Sequence, residues 1–287
     1  MKLATIQTPQ GNRAVLFHQG VHIDINASDS TLPASLKGIL ELGEEGLRKV
    51  HALGNLTKAV KIPADKISFS APIVDPNKVI CIGLNYTDHA IESGLPIPKE
   101  PVVFGKFPNA LTGHNQPILL PPVSTKVDYE AELVLIVGSK GKNLKAENAI
   151  DWLVGYTIGH DVSARDWQLE KDGKQWMIGK TFDTFAPCGP YLVTKDEIAD
   201  VHKLGIHLRL NGQTMQSSTT SQLIFSVSQI LAYLTQVMTI LPGDLIFTGT
   251  PPGVGIARKP PVFLKAGDLC EIEIDGLGIL RNPVVMG

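Results

Sequence analysis

The 287-residue chain lacks cysteine clusters, basic clusters and long apolar runs. Its three cysteines are far apart and form no CxxC pair, which favours free thiols in a reducing compartment over a disulfide framework. A net charge of −2 without a basic cluster argues against nucleic acid as the main partner. No run approaches about 18 apolar residues, so we expect no membrane span. Residues 1–8 have no signal-peptide core, and a cytoplasmic location is the expectation.

The composition indicates a large, folded core, because 43% of the residues are hydrophobic and 19% are charged. Short alternating runs predict a β-meander at the start, and strands outnumber helices without a strict βαβ rhythm. We therefore expect an α+β fold with a mixed, mostly antiparallel sheet. A proline-bearing passage around Pro63, Pro72 and Pro76 suggests a boundary between a small N-terminal domain, residues 1–72, and a main domain, residues 73–287.

Residues 127–137 (VDYEAELVLIV) carry the first candidate chemistry. The second half is apolar at every position, as in a strand buried on both faces. Asp128, Glu130 and Glu132 alternate, so on a continuous strand they share one face. Carboxylates that enter an interior strand need a cation, whereas a solvated strand end would leave them in water. The strand alone leaves both possibilities open.

A third acid, Asp161, follows an apolar strand at the start of a segment predicted to turn into a helix at residues 163–170. It is either a ligand that completes a three-carboxylate Mg²⁺ or Mn²⁺ site or the N-cap of that helix. Zinc is disfavoured because His160 is the only nearby nitrogen or sulfur ligand.

Three further sets of residues could act on a substrate. His89 and Glu92 share one helix face, where a carboxylate can orient an imidazole as a general base. Lys180 lies in residues 179–184 (GKTFDT), which is not a P-loop, and its ammonium could stabilise an oxyanion. Residues 248–255 (TGTPPGVG) form a rigid loop whose N–H groups could receive an anion. A solvated helix pair, a surface lysine and a plain connecting loop remain the alternatives.

Taken together, these stretches resemble the fumarylacetoacetate hydrolase superfamily, closest to the branch of fumarylacetoacetate hydrolase domain-containing protein 2. The resemblance covers about residues 78–285 and rests on five motifs in the family's order. These are residues 83–89 (GLNYTDH), 128–133 (DYEAEL), 160–168 (HDVSARDWQ), 179–184 (GKTFDT) and 249–255 (GTPPGVG). Residues 164–168 (ARDWQ) and 258–265 (RKPPVFLK) point to the branch.

The resemblance implies a rolled β-sheet core in the main domain, a homodimer and a set of site roles. It implies that Mg²⁺ or Mn²⁺ is held by Glu130, Glu132 and Asp161, and that Asp128 is a strand-end or supporting residue. His89 and Glu92 would form an acid/base dyad on a lid-like segment, and Lys180 would contact the oxo or enolate end of the substrate. Four residues fall where relatives contact substrate: Tyr86, Arg165, Gln168 and Thr250.

The family acts on small 2-oxo acids that chelate the metal, which then stabilises an enolate. The branch implies oxaloacetate keto–enol tautomerase as the leading hypothesis. The alternatives are a C–C bond hydrolase of the acylpyruvate or fumarylpyruvate type, an oxaloacetate decarboxylase and, without catalysis, a metal-dependent 2-oxo acid binding protein. Two departures from the family pattern stand out: Asn85 with Tyr86 replaces a carboxylate found in fumarylacetoacetase, and His160 replaces an asparagine common in relatives.

Overall fold

The computed structural model describes residues 1–94 and 96–287. Eighteen strands and six helices are seen in these residues. The strands are β1 (Lys2–Thr8), β2 (Gly11–His18), β3 (Val21–Asp24), β4 (Lys61–Ile62), β5 (Val79–Gly83), β6 (Val102–Lys106), β7 (Leu111–Thr112), β8 (Ile118–Leu120), β9 (Val127–Asp128), β10 (Ala131–Val137), β11 (Leu153–His160), β12 (Ser163–Ala164), β13 (Ala186–Thr194), β14 (Gly205–Leu210), β15 (Gln213–Thr219), β16 (Leu245–Phe247), β17 (Leu269–Ile274) and β18 (Gly278–Met286). The helices are α1 (Ile25–Ser28), α2 (Leu36–Glu41), α3 (Gly43–Leu53), α4 (Thr87–Ser93), α5 (Trp176–Lys180) and α6 (Val227–Val237).

Two large sheets dominate the molecule. An 11-stranded sheet runs β4-β3-β2-β1-β13-β11-β10-β16-β5-β6, with β7 paired to β13 off this path. A five-stranded sheet runs β15-β14-β17-β18-β8, and β12 pairs with β9 in a small third sheet. Most pairs are antiparallel, while β16–β5, β13–β7 and β18–β8 are parallel. This architecture confirms the expected α+β fold with a mixed, mostly antiparallel sheet.

The apolar strand β10 lies at the centre of the large sheet and is buried along its whole length. Leu133, Leu135 and Val137 pack into the core that includes the five-stranded sheet, and Val134 and Ile136 pack into the core beneath the N-terminal helices. An unbroken apolar run follows from this position, because both faces of the strand are covered.

The first three strands form the predicted meander, and the helices α1, α2 and α3 follow it in the chain. β1 pairs with β13, so the N-terminal meander extends the central sheet across the proposed boundary. Division into residues 1–72 and 73–287 stays a prediction.

Two expectations for local structure are wrong. Residues 127–137 are not one strand, because β9 ends at Asp128 and pairs with β12, while β10 begins at Ala131. At the break, the Ala131 N–H donates to the Gln216 side chain, and the Glu130 carbonyl accepts the Asp161 N–H. Residues 163–170 do not form an α-helix either: the strand β12 comes first and a single wide helical turn follows.

Candidate active site

The ends of four neighbouring strands meet at one edge of the large sheet. β10 and β11 are antiparallel with Ala131 opposite His160, so the start of β10 lies beside the end of β11. β16 is antiparallel to β10 and parallel to β5, which brings their carboxyl ends to the same edge. This topology gathers Glu130, Glu132, Asp161, the loop 248–255 and α4.

Glu130, Glu132 and Asp161 form a buried acidic triad, each offering an oxygen within 4.8 Å of the others. Burial, together with the nearby charges of Asp161 and Glu130, raises the pKa of Glu132 well above its usual range. The Glu132 carboxylate receives one N–H, from Gly249 at 2.8 Å. Buried like charges at this spacing favour a bound cation or a retained proton.

Two buried cations, Lys180 and Arg165, contact the triad. Lys180 Nζ lies 2.8 Å from Glu130 and 2.7 Å from Asp161, and Arg165 donates to Glu130 at 2.6 Å. Burial alone would raise the pKa of Glu130, but Lys180 and Arg165 outweigh it and hold that pKa below its usual range. The pKa values of Glu130 and Glu132 therefore shift in opposite directions because, of the two glutamates, only Glu130 contacts the cations.

A third buried cation, Lys106, lies next to Asp161. Its ammonium donates to the carbonyl oxygens of Val162, Lys180 and Phe185, which uses all three of its hydrogens. Asp161 Oδ1 is 2.7 Å from this ammonium, yet it accepts no hydrogen bond. The contact is electrostatic and leaves a buried oxygen lone pair available, so the triad fits a hard divalent cation with oxygen ligands.

The helix α4 holds His89 and Glu92 over the same cavity. His89 Nδ1 lies 3.1 Å from a Glu92 carboxylate oxygen, and the Gly253 N–H donates to both oxygens of Glu92 at 3.0 and 3.1 Å. A carboxylate on Nδ1 favours the tautomer with its proton there, which leaves Nε2 as the free acceptor. A side chain at position 253 would collide with Met215 O at 2.1 Å, so glycine is required there.

A cavity of about 370 Å³ connects these groups. Besides the triad, it is lined by the predicted residues His89, Arg165, Gln168, Lys180 and Thr250. Its remaining wall is apolar and includes Leu84, Phe104, Trp176 and Ile256. Glu92 reaches the cavity through His89. Tyr86 does not line it: the side chain is fully buried and its hydroxyl has no hydrogen-bond partner.

Comparison with known proteins agrees with this geometry. The profile described as fumarylacetoacetate (FAA) hydrolase C-terminal matches residues 78–285. The chain belongs to the fumarylacetoacetate hydrolase family.

Relatives and solved structures cover most or all of the chain. "Oxaloacetate tautomerase fahd2, mitochondrial" from Xenopus laevis is 52% identical over 263 residues, 92% of this chain and 82% of the relative. "Fumarylacetoacetate hydrolase domain-containing protein 2 homolog" from Dictyostelium discoideum is 46% identical over 91% of this chain and 89% of its own length. The solved fumarylacetoacetate hydrolase of Exiguobacterium antarcticum has a TM-score of 0.87 and 34% identity, with 100% of both chains covered. These findings confirm the resemblance, including its closest branch.

The first of the two departures from the family pattern has a structural explanation. Asn85 is fully buried; its amide donates to Thr248 O at 2.8 Å and accepts the Phe225 N–H at 2.8 Å. This side chain therefore fixes the backbone before α4 and does not reach the triad.

For His160, burial and then Lys106 lower the pKa to about 3, so the ring is neutral. Neither of its ring nitrogens has a hydrogen-bond partner. No contact in the structure explains the choice of histidine.

Sequence reasoning missed several residues of the site. Lys106 ends an apolar run, where a lysine is ordinarily a solvated strand end, and no local signal marks it as buried. Trp176 and Phe104 meet edge to face at 5.6 Å and form one cavity wall. Trp176 packs against Gly83 at the end of β5, where a Cβ would lie 2.8 Å from its ring.

Proposed function

We propose that this chain is a divalent-metal-dependent oxaloacetate keto–enol tautomerase. The observation that carries the proposal is a single cavity shared by the acidic triad and the His89–Glu92 dyad. A relative 52% identical to this chain bears the name oxaloacetate tautomerase, which supports the choice of substrate.

Glu130, Glu132 and Asp161 are the proposed ligands of Mg²⁺ or Mn²⁺, since both ions prefer carboxylate oxygens. A bound divalent cation would supply Lewis-acid charge that lowers the cost of enolate formation on a 2-oxo acid. Two observations within the described part of the chain support this assignment: Asp161 Oδ1 accepts no hydrogen bond, and Glu132 has no cationic side chain in contact with it.

The cationic side of the cavity keeps donors for an acidic substrate. Arg165 uses three of its five N–H groups, on Asp128, Gln168 and Glu130, so two remain. Lys180 spends two hydrogens on Glu130 and Asp161 and keeps one. We assign the carboxylate of the substrate to Arg165 and Gln168, its 2-oxo or enolate oxygen to Lys180, and a further polar contact to Thr250.

His89 is the proposed proton carrier. Ketonisation of enol-oxaloacetate removes the hydroxyl proton and adds a proton at C3, so one imidazole that accepts and then donates balances the reaction. Glu92 keeps the ring oriented and stabilises its charged form while the proton is held. The Tyr86 hydroxyl is not given a substrate contact in this mechanism, and its earlier assignment stays a prediction.

The activity test follows the ultraviolet decay of enol-oxaloacetate with purified protein and Mg²⁺. We expect acceleration above the buffer rate, and a loss of roughly 10² to 10⁴-fold in His89→Ala, the usual contribution of general acid/base catalysis. Metal binding should persist in that variant because the triad is untouched. A wild-type rate equal to buffer would refute the proposal.

Metal binding has a separate test that needs no turnover. Mg²⁺ or Mn²⁺ at 100 times its dissociation constant should stabilise the folded protein by about 2.7 kcal/mol, measured as a rise in the thermal midpoint. Glu132→Ala should abolish this rise and the metal-dependent activity together. Activity that survives both chelation and Glu132→Ala would remove the triad from the mechanism.

A second candidate is a hydrolase of acylpyruvates or fumarylpyruvate. The apolar wall of Leu84, Trp176 and Ile256 favours it, because a four-carbon diacid gives this wall nothing to contact. Release of pyruvate from acetylpyruvate, lost in His89→Ala, would support hydrolysis. Loss of CO₂ from oxaloacetate above background would instead indicate the decarboxylase.

We further propose a homodimer, as the family resemblance implies, formed over an apolar surface beside the cavity. We call the exposed side chains of Val103 on β6, Phe107 just after β6, and Met177 and Ile178 on α5 the β6–α5 patch. For location, no helix among the described residues is long and apolar enough to cross a membrane. The Xenopus relative is called mitochondrial, and the cytoplasmic location of this chain stays a prediction to be checked by imaging.

A further inference from the structure

The strand β15 supports the site from a part of the sequence that none of the motifs covers. Gln216 is buried on this strand, and its side-chain Oε1 accepts the N–H of Ala131, the residue between the two glutamates of the triad, at 2.8 Å. Its amide donates to Thr250 Oγ1 at 2.8 Å and Pro251 O at 2.7 Å. One side chain therefore sets the distance between the acidic strand and the loop 248–255.

Ser218 lies two residues further along β15, on the same face as Gln216. Its hydroxyl donates to Asp88 Oδ2 at 2.5 Å, across 130 positions of sequence. Asp88 is in the first turn of α4 and immediately precedes His89. Ser217 is on the opposite face, where its hydroxyl lies 3.1 Å from His207 Nδ1.

The helix α4 has little else to hold it. It has seven residues, a length at which a helix is marginal without tertiary contacts. Ile91, on its outer face, is 75% exposed and contributes no core packing. Among the described side chains of α4, Ala90 is buried. Two others hydrogen-bond to the rest of the protein: Asp88 to Ser218 at the first turn and Glu92 to the Gly253 N–H at the last.

We propose that Ser218 is a positioning residue for His89, and this inference rests on the proposed function of that histidine. The Ser218–Asp88 hydrogen bond holds α4 at a fixed height above the triad, with β15 as the common reference for helix, loop and acidic strand. Glu92 fixes the orientation of the imidazole ring, while Ser218 fixes the position of the turn that carries it.

The experiment compares Ser218→Ala with Ser217→Ala, the same change one residue away on the other face. Ser218→Ala should lower kcat for enol-oxaloacetate about tenfold, because a misplaced proton carrier loses its near-attack geometry. KM should stay within twofold of the wild-type value, since Arg165 and Gln168 are not altered. The thermal shift with Mg²⁺ should be unchanged, since the triad is intact. Ser217→Ala should behave as wild type, and Ser218→Thr, which keeps the hydroxyl, should restore kcat.

Hydrogen–deuterium exchange of residues 85–94 separates this inference from the proposed function. Amides of α4 should exchange faster in Ser218→Ala than in Ser217→Ala, whether or not oxaloacetate is the substrate. If the wild-type protein is inactive on oxaloacetate, the proposed function is refuted. The difference in exchange between the two variants would still show whether Ser218 holds α4. Equal exchange and equal kcat in the two alanine variants would overturn the inference.

Asp88→Ala removes the same hydrogen bond from the helix side and guards against a folding defect of Ser218→Ala. In a double-mutant cycle, the effects on kcat should be non-additive, because either change alone breaks the one contact. Additive losses would show that Ser218 and Asp88 act separately and would overturn the positioning role.

Discussion

Asp128 is fully buried and accepts four hydrogen bonds, although it is not part of the acidic triad. Its donors are Arg165 Nε at 2.8 Å and the N–H groups of Tyr129, Gly255 and Ile256 at 2.8, 2.6 and 3.0 Å. It thus joins the cavity-lining Arg165 to the loop that supplies Gly253 to Glu92. A carboxylate is needed because all four partners are donors.

We expect Asp128→Asn to lower the free energy of unfolding by about 3 kcal/mol, since the amide brings its own N–H groups against donors and leaves a buried guanidinium underpaired. Urea unfolding of the two proteins measures this loss. Asp151→Asn, the same change at an exposed position, should cost less than about 0.5 kcal/mol. Equal stabilities for Asp128→Asn and the wild type would show that the four hydrogen bonds do not require a carboxylate.

At this scale, sequence spacing predicted which acids gather but not which partners they take. The alternation of Asp128, Glu130 and Glu132 predicted one shared strand face, whereas β9 ends at Asp128, whose carboxylate accepts from the Gly255 and Ile256 backbone instead of joining the triad. Ala131, which begins the next strand, donates to the side chain of Gln216, 85 residues away. No local pattern encodes such a contact, because it is set by how two sheets pack.

Individual strands and helices were easier to predict from the sequence than the elements they pack against. The Asn211–Gly212 turn fixes the hairpin of β14 and β15, and apolar spacing predicts α6, whose Ser226 and Gln229 form a capping box. These signals are local. Pairing of β1 with β13, some 190 residues apart, depends on tertiary packing, which the alternation of a strand does not specify.

The contact between the N-terminal meander and β13 has a titratable group at its centre. His22 on β3 is buried, lies 2.9 Å from the Tyr191 hydroxyl and contacts the rings of Phe17 and Phe69. Burial lowers the pKa of His22 below its ordinary value of 6.5. The unfolded chain then binds the proton more readily than the folded one, so stability is full above that value and falls as the pH drops through it.

We therefore expect urea unfolding to show lower stability at pH 5.5 than at pH 7.5, with part of the difference due to His22. In His22→Gln, which keeps a hydrogen-bonding group without a titration in this range, the loss between the two pH values should be smaller. An identical pH dependence in the two proteins would assign the acid sensitivity to other groups, such as the half-buried His114, whose pKa burial also lowers.

At the scale of the whole molecule, an apolar surface is exposed at the β6 end of the large sheet. β6 ends the large sheet and, in the described part of the chain, pairs only with β5. The β6–α5 patch lies along this free edge, beside the Phe104–Trp176 wall of the cavity. An exposed apolar edge strand is a hazard for uncontrolled association, which proteins avoid by covering it. Coverage by a second copy would shield the edge and close the cavity wall at the same time.

If the patch is the dimer interface, a buried charge there should dissociate the protein. We expect sedimentation velocity to show a dimer for the wild type and a monomer for Val103→Glu, because an unpaired carboxylate is costly in an apolar interface. Val60→Glu is the matched control: Val60 is 44% exposed, against 39% for Val103, and lies beside β3 near the opposite end of the sheet. Both variants should remain folded by circular dichroism.

Two outcomes would contradict the prediction. A dimer that persists in Val103→Glu and dissociates in Val60→Glu would place the interface at the N-terminal end of the sheet. A monomeric wild type would show that the patch is not a dimer interface.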